Sequence, residues 1–288
     1  MAIDTDVSIA NLVTEALKRA GRTSPTAGQI SDATSYGFRE VKADLAARGG
    51  RHPVLLTDSI SVTTDGLQRY SWPTAARELH SVAILDGPDD WRGTAQSATS
   101  TTLVLAAALS IADSHDVKGR YLCTTGGTGA NQIRQITAWN NTTKTATVPT
   151  WTTTPDSTTT YLIATDHRAL WHLDKATKWN TIPNPGLRGQ SYAAATFGRE
   201  LYLEHTADKV YVLWWNYWSH LDRMDNAGSV VLGHIREYLS LWIQGIATKC
   251  MQRFDEDRYG SELQVYLHML QSYEQEGSTV SAIQFSDV

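Results

Sequence analysis

The sequence predicts an α+β fold: a helical core formed by N-terminal and C-terminal helix pairs, a small antiparallel sheet, and an inserted β-rich module. Three observations predict it. Apolar residues recur at spacings of three and four at both ends of the 288-residue chain. Alternating, β-branched runs lie just inside those ends. Between about 93 and 165 the composition turns rich in threonine and poor in charge. With 41% hydrophobic residues the chain can bury a sizeable core, as one large or two smaller units.

The first helix is expected over about 6–20. Ile9, Leu12, Val13, Ala16, Leu17 and Ala20 share a face, Asp6 or Ser8 offers an N-cap, and Gly21 stands at the C′ position. Ser24-Pro25 offers a cap and a first-turn proline for a second helix over about 26–48, which carries Ile30, Phe38, Val41 and Leu45 and stops at Gly49-Gly50. After His52-Pro53 the period becomes two, predicting strands over about 54–63, 67–72 and 78–86, with Asp65-Gly66 as a hairpin turn. The module of 93–165 interrupts this pattern, and the core, 1–92 and 166–288, resumes after it. ELYLEHTADKVYVLWWNYW gives strands over about 200–204 and 209–218, with Thr206-Ala207-Asp208 as their turn. Helices are expected over about 230–251, from Leu232, Ile235, Leu239, Trp242 and Ile246, and over about 256–276, from Leu263, Tyr266, Leu270 and Tyr273. Ser261 and Gln264 read as a capping box, and Gly277 as the stop.

Charge and cysteine usage narrow the function classes. A net charge of -5 and a pI near 6.0 lack the basic excess that a sequence-reading DNA binder needs. Cys123 and Cys250, far apart in sequence, fit unpaired thiols of a reducing compartment. The N-terminus has acids where a signal peptide needs a basic region, and the longest apolar run, LVLAAAL, is too short to span a bilayer. The expectation is a soluble, unsecreted protein with no membrane partner.

The stretch CTTGGTGANQIRQITAW, 123–139, invites comparison with phosphate-binding loops. It lacks the third glycine of a dinucleotide fingerprint, since Gln132 stands there, and no lysine follows as in a P-loop. It leads into further β sequence, whereas a phosphate loop should open a helix. Its glycines are expected to supply positive φ between two strands.

Other chemistry is sparse. Asp166, His167, His172 and Asp174 cluster in sequence, but the two histidines are five apart and would not share a helix face. His220 with Asp222 and His115 with Asp116 read as solvated loop pairs. Gly189-Gln190-Ser191 begins a nucleophile elbow that Tyr192-Ala193 does not complete. The acids of FDEDRYG, 254–260, read as a solvated face rather than a glycosidase pair. No catalytic, cofactor or metal residue is assigned. Among Trp214, Trp215, Tyr217 and Trp218, adjacent residues of a strand point to opposite faces, so one indole belongs to the core and its neighbour to an adjoining element or subunit.

The order of parts resembles the head-to-tail adaptor proteins of tailed bacteriophages. The resemblance rests on an opening helix pair, Tyr70-Ser71-Trp72-Pro73 leading to ELHSVAIL, then GLRGQSYAAATFGRELYLEHTADKVYVLWWNYW, and a closing helix pair from Ser229 to Glu276. It covers most of the chain outside the module, and GTGANQIRQITAWNNTTKTATVPTWTTTPDSTTTYLI is similar to a β module recurring in phage virion proteins. The resemblance implies a structural, non-enzymatic virion protein of the neck, assembled in the host cytoplasm as a homo-oligomeric ring of about twelve subunits. Such a ring binds the portal, carries the tail nozzle and fibres, and passes genomic DNA without reading its sequence. Partner-binding residues are expected at Phe285 in the tail, at Trp139 and Trp151 in the module, and at Trp215 and Trp218. For Trp139 and Trp151 the alternative is a place in the module's own core. Two other classes stay open: a carbohydrate-binding or host-recognition tail protein, from the ten tryptophans, and a metal-dependent hydrolase using Asp166 to Asp174.

Overall fold

The computed structural model describes residues 8–48, 52, 55–109, 111, 117–173, 187–221, 229–254 and 256–283. Its fold is α+β. The chain forms two compact units, one of Met1–Thr57, Ala75–Glu78 and Tyr217–Val288, the other of Asp58–Thr74 and Leu79–Asn216. This division differs from the expected boundaries at 93 and 165. The strands flanking the module group with it, and the chain passes between units inside strands, where no change of composition marks the passage.

The first unit is helical. α1 (Ile9–Arg19) starts at Ser8, whose Oγ accepts from Asn11 N, and ends in a Schellman motif, with Gly21 N donating to Lys18 O and Arg22 N to Leu17 O. Thr26, not Ser24, caps α2 (Ala27–Ala33) through a reciprocal box with Gln29. The expected single helix of 26–48 is then interrupted by a π turn, Thr34–Phe38, before α3 (Arg39–Arg48). The wider turn shifts the phase of the apolar face between Ile30 and Phe38.

At the other end, 230–251 divides into α4 (Ser229–Glu237) and α5 (Leu239–Phe254) on either side of Tyr238. α6 (Glu256–Ile283) runs past the expected stop at Gly277, since one glycine costs a helix only about 1 kcal/mol and no proline follows it. Ser261 therefore lies inside α6, its Oγ donating to Arg258 O, and forms no capping box. Leu12, Val13, Ala16 and Leu17 of α1, Phe38, Val41 and Leu45, Ile235, Trp242 and Ile246, and Tyr266, Leu270 and Tyr273 meet in one core.

The second unit is built of strands, three of which begin or end in the first. They are β1 (Leu56–Val62), β2 (Arg69–Ser71), β3 (Ala76–Asp86), β4 (Arg92–Thr94), β5 (Ser97–Ala98), β6 (Thr102–Val104), β7 (Tyr121–Gly126) and β8 (Gln132–Gln135). The chain continues through β9 (Ala138–Asn140), β10 (Thr145–Thr147), β11 (Thr160–Ala164), β12 (Asp166–Ala169), β13 (Trp171–Leu173), β14 (Ala193–Phe197), β15 (Glu200–Leu203) and β16 (Val212–Ser219). The four sheets have the orders β5-β6-β10-β9, β4-β11-β7-β8, β1-β16-β3-β12 and β13-β14-β15-β2.

Alternation explains how three of these sheets stack. Leu103 and Ala146 from the first share a core with Leu122, Tyr161 and Ile163 from the second. Leu162 and Ala164, pointing the other way, join Ile60, Leu85 and Val212 of the third. From Tyr161 on, β11 is buried on both faces and so reads as an unbroken apolar run, YLIA.

Neither expected hairpin forms. β1 lies beside β16 and β2 beside β15, in different sheets. The turns at Asp65-Gly66 and Thr206-Asp208 bond to each other instead, Gly66 N to Ala207 O at 2.8 Å and Ala207 N to Leu67 O at 3.1 Å. Both are real turns, but each carries its strand from one sheet to another. Local turn signals cannot show this, because the pairing partner lies far along the chain. In this part of the chain β14 and β15 pair as a hairpin through Gly198-Arg199, with Phe197 opposite Glu200.

Candidate functional site

A cluster of buried titratable side chains that the sequence does not announce lies in the helical unit. His234 on α4, Tyr238 at the junction and Trp242 on α5 follow one another at spacings of four, which places them on one side of the helical path. That stripe was the legible signal. Its partners, His52 and Tyr273 of α6, are remote in sequence. Trp242 Nε1 donates to His234 Nδ1 at 3.0 Å, and His234 Nε2 lies 2.9 Å from the Tyr273 hydroxyl. An indole N–H can only donate, so Nδ1 is the acceptor and the proton of a neutral His234 sits on Nε2. His52 stacks on Tyr273 with ring centroids 4.7 Å apart, and its Nε2 lies 2.8 Å from the Tyr238 hydroxyl.

Both histidines are 0% exposed. Burial lowers the pKa of His234 to about 3, with His52 nearby pushing the same way. Burial also lowers that of His52, against the pull of Glu276 and Glu237. The Tyr238 and Tyr273 hydroxyls are raised, again mainly by burial. Tyr238 and Tyr273 border an open cleft of about 490 Å³ with Glu276, His268 and Met269. With both ring nitrogens of His234 engaged and no phenolate at neutral pH, the cluster acts as a brace tying Tyr273 of α6 to α4 and α5.

The predicted partner-binding residues occupy different places. Trp215 is fully buried, with Nε1 donating to Ser61 Oγ at 2.8 Å, and Trp218 belongs to the helical core. Neither offers a surface anchor: both rings are buried, that of Trp218 from one face of β16 and that of Trp215 from the other. Trp214, on the face opposite Trp215, donates to Asp58 Oδ2 at 2.9 Å and meets the rings of Tyr121 and His167. Trp151 is 3% exposed in the module's core and Trp139 packs against the same cluster, so the module takes up both indoles itself. Phe285 lies outside the described residues.

The remaining sequence motifs resolve as follows. The glycine-rich stretch joins β7 to β8, with Gly127 and Gly129 at φ of 74° and 70°. A Cβ on Gly127 would lie 2.2 Å from Thr158 O, so glycine is required there for space as well as conformation. Gln132 locks this loop: its Nε2 donates to Gly129 O at 2.7 Å and Thr153 O at 2.8 Å, while its Oε1 accepts from Thr152 N and Thr153 N. Ser191 is buried, its Oγ exchanging hydrogen bonds with the backbone of His205. Asp166 pairs with Arg168 at 3.2 Å. Asp174, Asp222, Asp255 and the His115-Asp116 pair lie outside the described residues. Among the described residues no three His, Cys, Asp or Glu side chains are placed to hold a metal ion, and no helix is long and apolar enough to cross a membrane.

A second cavity of the helical unit, about 310 Å³, opens where α1 ends and α6 begins. Its floor is Leu17, Cys250 and Met251, all buried, and its rim carries Arg22, Gln29, Asp32 and Arg258. No protein-family model matches the chain, and no curated protein matches it either.

Proposed function

We propose that the chain is a subunit of a homo-oligomeric, head-to-tail adaptor ring that joins the portal of a tailed bacteriophage to its tail. The observation that carries this reading is the meeting of helices from both halves of the chain in one core, α1 and Phe38 against Trp242, Ile246 and Tyr266, with the described strands lying between them in sequence. That is the order of parts on which the resemblance rests. A mildly acidic subunit repeated around a channel would present DNA with repulsive charge, letting it slide rather than adhere. The β unit is then available to tail nozzle and fibre proteins. Carbohydrate stacking by the module is the weaker alternative, since Trp139 and Trp151 are engaged in its own core.

The test is the mass of the purified protein, alone and mixed with a portal ring, by light scattering and negative-stain imaging. A collar added to the portal supports the proposal. A chain that ignores the portal but binds glycan moves the function to host recognition.

A further inference from the structure

The cavity at the α1–α6 corner, about 310 Å³, has room for an aromatic side chain and a floor suited to its ring. Leu17 gives it apolar surface, Cys250 and Met251 give sulfur, which packs well on rings, and Arg22 and Arg258 bring guanidinium groups to the rim. Asp32 shares the rim and Glu262 lies 3.7 Å from Arg258, while Arg22 makes no ion pair among the described residues. The fitting ligand is an aromatic side chain with an acidic, not basic, neighbour.

The chain carries such a segment. Phe285 is followed by Asp287, and after Arg258 the sequence holds no lysine or arginine at all. The exposed Phe197 stands beside Arg199, and Trp179 beside Lys175 and Lys178, so neither matches the rim as well.

Reach decides whose Phe285 it is. At about 1.5 Å per residue, α6 carries Ile283 roughly 38 Å from Arg258. Two further residues extend at most about 7 Å. Phe285 therefore cannot return to the cavity of its own chain. We infer that the cavity lined by Leu17, Met251, Arg22 and Arg258 receives Phe285 of a second copy of this chain. Cavity and tail are different surfaces of one molecule, so the contact is head-to-tail and repeats from copy to copy, closing into a ring when the rotation allows. The inference rests on the ring-assembly reading above and names its joint.

The test is disulfide trapping in the full chain with Arg22→Cys and Phe285→Cys combined. Cys123 is buried, and Cys250, which lines the cavity, is replaced by serine in every variant so that it does not compete. Mild oxidation should give a ladder of dimers, trimers and larger species on a non-reducing denaturing gel, whereas each single variant stops at dimers. Phe285→Ala should weaken self-association by about tenfold or more in light scattering, and Phe285→Trp should retain it. A double variant that gives no species beyond those of the singles, or only an intramolecular disulfide, overturns the inference. A portal collar without the ladder leaves the adaptor reading standing and removes this joint. A ladder without a collar leaves the joint and removes the adaptor reading.

Discussion

Acidification should destabilise the helical unit through His234, and by an amount that can be worked out. The imidazole is fully buried, takes a hydrogen bond from Trp242 on Nδ1 and faces Tyr273 with Nε2, so a second proton would have to displace the indole N–H. In the unfolded chain the group takes up that proton near its ordinary 6.5, but in the folded state only near about 3. Between those values the unfolded state binds more protons, so stability is present above pH 6.5 and is lost as pH falls towards 3. From about pH 7 to about pH 5 the loss is roughly 2 kcal/mol, within a limiting slope of about 1.4 kcal/mol per pH unit. His52, whose pKa is also lowered, adds in the same direction. The assay is urea unfolding across this range, with the helical transition followed by far-ultraviolet circular dichroism. The wild-type chain is compared with His234→Gln, which cannot titrate. The variant should lose the greater part of the pH slope whatever its stability at neutral pH. Equal slopes in the two proteins would refute the locked, neutral imidazole.

Four further outcomes follow from other parts of the structure. Gly127→Ala places a Cβ 2.2 Å from Thr158 O at a φ of 74° and should cost more than about 2 kcal/mol in thermal unfolding. Gly66→Ala, at a φ of 81° but with nothing within 4 Å, should cost only about 1 kcal/mol, and equal losses would show that strain rather than space governs both. Gln132→Ala leaves Thr152 N and Thr153 N without their side-chain acceptor and should cost about 2–3 kcal/mol, read by the hydrogen-exchange rates of those two amides. Burial raises the thiols of Cys123 to about 12 and Cys250 to about 11, so neither should react with a thiol reagent in the native protein at neutral pH, while both react at once in denaturant.

What the sequence made legible follows the range of each interaction. α1 is readable to within a few residues because its face, its cap at Ser8 and its Gly21 terminus are all local. The positive φ of Gly127 and Gly129 is equally local, and the strand-to-strand loop was readable for that reason. Thr26-x-x-Gln29 was a readable capping box that the adjacent Ser24-Pro25 obscured. Pairing was not readable. Asp65-Gly66 has the chemistry of a hairpin turn and does turn the chain, but the hydrogen bonds that decide its role come from Ala207, far along the sequence. The same limit hid the histidine cluster, since the His234, Tyr238, Trp242 stripe looks like an amphipathic face until His52 and Tyr273 close around it.

The threonine content of the β module has a physical reading that links these points. Around the glycine loop, Thr124 Oγ1 bonds Gly129 O and Gln132 N, Thr159 Oγ1 bonds Thr128 O, and Thr158 donates twice to Asp156. Short hydroxyl side chains thus hold loops that a charged sequence would tie with ion pairs, and most of these bonds join neutral groups. Asp156 is the exception, its carboxyl held below the usual range by the hydroxyl of Thr158. Mild acid therefore acts on the helical unit while the module keeps its hydrogen bonds. A pH-dependent change in this protein should begin in the helices built from its two ends.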